Sequence, residues 1–67
     1  AYDSVEYLYQ INRIAKIRHS DYDFAKALFE VPVIQRKAWL EQQITDNINN
    51  IGDFERAMKL LEDIKFE

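Results

Sequence analysis

The chain has 67 residues, 48% of them apolar and 31% charged, with a formal net charge of −3. That is the composition of one folded domain rather than of a disordered segment. Cysteine is absent, which excludes a disulfide framework and any thiolate metal site, and the acidic balance speaks against a general nucleic-acid binder.

Pro32 and Gly52 are the only proline and the only glycine. Both residue types are poorly tolerated inside a helix, so confining them to two positions leaves the rest of the chain free to be helical. The first helix is expected over about 4–18. Asp3 and Glu6 have capping-box spacing at its start, and Tyr7, Leu8, Ile11, Ile14 and Ala15 share one face. Arg13, Lys16, Arg18 and His19 gather at its C-terminal end, where positive charge suits the helix dipole.

A short second helix is expected over about 21–30, with Ser20 and Asp23 as its start signal. Phe24, Ala25, Leu28, Phe29 and Val31 spread over a broad arc, which predicts deep burial. Val31 should end the helix, because the residue before a proline is pushed out of helical geometry.

The third helix should run over about 32–50, with Pro32 in its first turn and Gly52 as its stop. Val33, Leu40, Ile44, Ile48 and Ile51 form its stripe. The fourth is expected over about 53–65, capped by Asp53, with Phe54, Ala57, Met58, Leu60, Leu61 and Ile64 inward and a Glu55–Lys59 pair outward. The short connections make sequential helices neighbours. The result is an all-α, compact four-helix domain over 1–67, arranged as a bundle or an orthogonal array. Because it begins at Ala1 rather than methionine, the chain reads as processed or as a piece of something longer.

Little chemistry is available. His19 is the only histidine and lies in an expected turn, while Ser4 and Ser20 are better explained as helix-start residues. Asp21 and Asp23 lack the remainder of an EF-hand loop, and no glycine-rich phosphate loop exists. No enzyme activity, cofactor or metal is therefore expected. The missing cysteines fit a reducing compartment such as the cytoplasm, and no apolar run reaches membrane-spanning length.

Several residues do not fit a simple core. Trp39 points about 140° from the centre of the third helix's apolar stripe, among Gln35, Gln43, Asp46 and Asn50. Tyr9, Arg13 and Ile17 form a strip off the main face of the first helix, and tyrosine and arginine are enriched at interface hot spots. These four residues point to a small helical interaction module, a regulator, adaptor or assembly domain whose partner is another protein or a second copy. Either could instead be satisfied within the monomer, for example by an arginine lying over a tyrosine ring. The stretch from Phe24 to Leu40 resembles a helix-turn-helix, which would make Gln35, Arg36 and Lys37 base and phosphate contacts with Lys16, Arg18 and Lys26 as clamps. It departs from that pattern at the turn, where Glu30-Val31-Pro32 replaces the usual glycine.

Overall fold

A computed structural model describes residues 4–17 and 20–66. Four helices and no strands occur among the described residues: α1 (Ser4–Ala15), α2 (Asp21–Phe29), α3 (Val33–Asn47) and α4 (Ile51–Glu62). The extents are 29 × 26 × 20 Å. Each helix packs on its neighbour in sequence, and the most extensive pairing closes the chain, α1 against α4.

In α1, Leu8, Ile11 and Ala15 are buried, at the three- and four-residue intervals of one helical face. Tyr7 and Ile14 are half-buried beside them. The helix ends three residues earlier than its periodicity suggests. Lys16 takes a left-handed conformation, φ 55°, and its N–H donates to the Asn12 carbonyl at 2.7 Å, with the Ile17 N–H at 3.4 Å from the same oxygen. This is the ending usually made by glycine. Asp3, Arg18 and His19 lie outside the described residues.

Ser20 caps α2 as expected, its Oγ accepting the Asp23 N–H at 3.1 Å. Only Phe24 and Leu28 of this helix are buried. The expected deep burial is therefore corrected: α2 is short, lies on the outside and shows one face to α1 and α3. Pro32 also stands one place earlier than expected, as the residue before α3, and its carbonyl accepts the Gln35 N–H at 2.8 Å.

The largest difference lies between α3 and α4. Ile48 is extended, at φ −105° and ψ 125°, so α3 stops at Asn47. Asn50 then caps α4, its side-chain oxygen accepting the Asp53 N–H at 3.0 Å. Gly52 consequently lies in the first turn of α4 instead of ending α3, and Asp53 is the third residue of its helix rather than the cap. Ser20-x-x-Asp23 and Asn50-x-x-Asp53 are thus the same device used twice. Ala57 and Leu61 are buried in α4, as is Ile64 just beyond it. Arg56 reaches Asp53 at 3.5 Å, whereas no Glu55–Lys59 pair forms among the described residues.

Nine side chains make the central cluster, among them Phe24, Ile11, Leu28, Leu40, Ile44 and Leu61, each essentially inaccessible. Two predictions follow from the helix ends. Lys16→Gly should raise unfolding free energy by about 0.5–1 kcal/mol, since relief of about 1–2 kcal/mol of left-handed strain exceeds the added chain entropy of glycine. Asn50→Ala should lower it by about 1 kcal/mol through loss of the α4 cap. Urea titrations followed by far-UV circular dichroism measure both, and a neutral Asn50→Ala would place the start of α4 elsewhere.

Candidate functional site

The four residues off the expected apolar faces, Trp39, Tyr9, Arg13 and Ile17, are largely engaged within the chain itself. Trp39 is half-buried and packs against the core, its ring centroid 6.1 Å from that of Phe24 at an interplanar angle of 33°. The angular argument for its isolation fails for a definite reason. With α3 ending at Asn47 and Val33 and Ile51 exposed, the stripe shrinks to Leu40 and Ile44. The partly covered Arg36 and Gln43 then extend the inward arc towards Trp39.

The strip on α1 is engaged in a similar way. Tyr9 and Ile17 pack against the core, and the Arg13 guanidinium lies 5.8 Å from the Tyr9 ring centroid. Arg13 also pairs with one carboxylate oxygen of Asp21, while the other accepts from the buried Asn12 amide at 3.1 Å. The start of α2 is thereby fastened to the last turn of α1.

Arg36 performs the matching task at the other end of α2. Its Nε donates to the Val31 carbonyl at 2.8 Å and its Nη2 to the Phe29 carbonyl at 3.0 Å, with the guanidinium 5.2 Å from the Phe29 ring centroid. These are carbonyls left without helical partners at a C-terminus. Of the residues considered for DNA contact, Gln35, Lys37, Lys26 and Lys16 are exposed, Arg36 is tied to α2, and Arg18 lies outside the described residues.

What the sequence reading missed is the outer face of α2. Tyr22 is 73% and Phe29 56% exposed, and together with Ala25, Lys26 and Glu30 they line an open trough of about 450 Å³. Ile34, in the first turn of α3, is 89% exposed, and Val33 beside it is also open. The signal was present in the spacing. Tyr22, Ala25, Lys26 and Phe29 repeat at three and four residues, on the side opposite Phe24 and Leu28. One broad apolar arc was in fact two stripes, of which the core takes one.

No family model, curated protein or solved structure matches the chain. Among the described residues no group of three or more His, Cys, Asp or Glu is placed to hold a metal ion, and no helix is long and apolar enough to cross a membrane. Every buried side-chain polar atom described has a hydrogen-bond partner. The most distinctive surface feature is accordingly apolar.

The clasp between α1 and α2 can be tested by comparing its members. Asp21→Ala removes an acceptor from both Asn12 and Arg13 and should cost about 1–3 kcal/mol, because Asn12 lies in a buried setting. Arg13→Ala should cost less than about 1 kcal/mol, as expected of an exposed ion pair. Equal losses in urea unfolding would show that the Asn12 contact contributes nothing.

Proposed function

We propose that this domain is a small helical protein–protein interaction module that works through the outer face of α2 and associates there with a second copy of itself. The observation that carries this reading is the exposure of two aromatic rings, Tyr22 and Phe29, along one trough of a helix whose other face is fully packed. Isolated exposed apolar residues are ordinary, but aromatic side chains clustered on one face mark contact surfaces.

A second copy suits this face because its charges are self-complementary. Lys26 and Glu30 lie one turn apart in the trough, with Phe29 beside Glu30. In a two-fold antiparallel pairing centred between them, Lys26 of each copy faces Glu30 of the other, which is the symmetry of an isologous dimer. Size sets the strength. A standard interface covers about 800 Å² per partner, roughly one-sixth of the 4727 Å² this domain exposes. The trough alone offers less, so association is weak and readily reversed. A helix-turn-helix role has less support, since the net charge is −3 and Glu30-Val31-Pro32 stands where the turn glycine would be.

Sedimentation equilibrium from about 10 μM to about 1 mM, the range of weak association, tests the reading. The mass should rise towards that of a dimer. Lys26→Glu and Glu30→Lys should each weaken the dimer several-fold, and the double exchange should restore it, with helicity unchanged throughout. A chain that stays monomeric over the whole range, or a double exchange without recovery, overturns it.

A further inference from the structure

A second cleft, of about 180 Å³, opens where the end of α2 meets the start of α1 and the chain beyond α4. Leu8, Leu28 and Ile64 line it from the core side and are all buried. Phe29 and Phe66 also border it, and the charged residues among its described lining, Arg36 and Lys65, are both cations. No carboxylate is among the described lining residues, and Lys65 forms no ion pair with any described residue. The combination is unusual for an acidic domain.

We infer that this cleft binds an apolar carboxylate: one ring or short aliphatic group against Leu8, Leu28 and Ile64, with its carboxylate held by Arg36 and Lys65. Size selects the apolar part. A cavity of about 150 Å³ accommodates benzene, whereas drug-sized ligands need about 300 Å³ or more, so the cleft holds a single small group. Charge selects the head. A guanidinium has five N–H donors, and the Arg36 contacts to Val31 and Phe29 use two of them. Both acceptors are neutral carbonyls, which fix the plane of the guanidinium without cancelling its charge. The C-terminal dipole of α2 offsets only about half a charge of the two cations. A pre-oriented guanidinium beside a second cation is well suited to a carboxylate.

The cleft shares Phe29 with the dimer face, but neither Lys26 nor Glu30 lines it, so charge exchanges at those two positions leave its cations in place. The test is a carbon–proton NMR titration of the whole chain with 3-phenylpropionate, its neutral counterpart 3-phenylpropanol, and short peptides ending in phenylalanine with free or amidated termini. For an acid this small the dissociation constant should be on the order of 1 mM. The methyl signals of Leu8, Leu28 and Ile64 should shift saturably, and the alcohol and the amidated peptide should bind at least about tenfold more weakly. Tighter binding of the free-ended peptide than of phenylpropionate assigns the cleft to chain termini; the reverse assigns it to small free acids. Lys65→Glu, at an exposed position, should weaken the acid about tenfold and leave the alcohol unchanged, and added salt should weaken only the acid. Equal affinity for acid and alcohol, or no saturable shift at those methyl groups, overturns the proposal.

Discussion

Two polar clasps, one at each end of α2, fix a nine-residue helix that has little stability of its own. Helices shorter than about 12 residues are marginal in water, and this one contributes only Phe24 and Leu28 as fully buried side chains. Asn12 and Arg13 hold its first residue from α1, and Arg36 holds its last carbonyls from α3. The helix is therefore positioned by its neighbours rather than by immersion between them. Its outer face can remain open because stability does not require that face to be covered.

The same arrangement explains the centre of the domain. Phe24 is completely enclosed and has Trp39 beside it, so these two rings meet across the α2–α3 contact. Tilted aromatic pairs add roughly 0.5–1.5 kcal/mol beyond the area they bury. In a domain with no disulfide to constrain it, that is a material fraction of a total of about 5 kcal/mol, the low end for small folds. The tryptophan is best understood as the outer wall of the core, half-buried because only three other helices are available to cover α3.

Much of the fold was legible from apolar spacing and from two capping patterns. The inward faces of α1 and α4 agree with their periodicity, residue by residue in most positions, because each has one well-separated stripe. Boundaries were harder for physical reasons. Nothing in the sequence marks Lys16 as left-handed, since that conformation is adopted by lysine at a cost and by glycine freely. Gly52 misleads in the opposite direction: a lone glycine reads as a stop, although Asn50 supplies a better cap two residues earlier. That shift removed Ile48 and Ile51 from α3, yet Trp39 still lies about 120° from the midpoint of Leu40 and Ile44; it is covered because Phe24 of α2 meets it on that side. The candidate surface was hidden by a related ambiguity, since nine residues of α2 carry two apolar stripes and periodicity alone does not say which one the core selects.

Scarcity of glycine connects these details. A chain with one glycine must end four helices without the usual left-handed glycine, and the described ends each use another means. Lys16 adopts the conformation despite its side chain, Ile48 turns to extended backbone, and the carbonyls closing α2 take donors from Arg36. Arg13 and Arg36 therefore lie outside the core stripes for a structural reason: each bridges from its own helix to a terminus of α2, over an aromatic ring that supports its guanidinium. These two arginines, off the core face, are the means by which the two ends of α2 are held. Tyr22, Ile34 and Lys65 have no such duty, and it is on residues of that kind that function can act without loss of the fold.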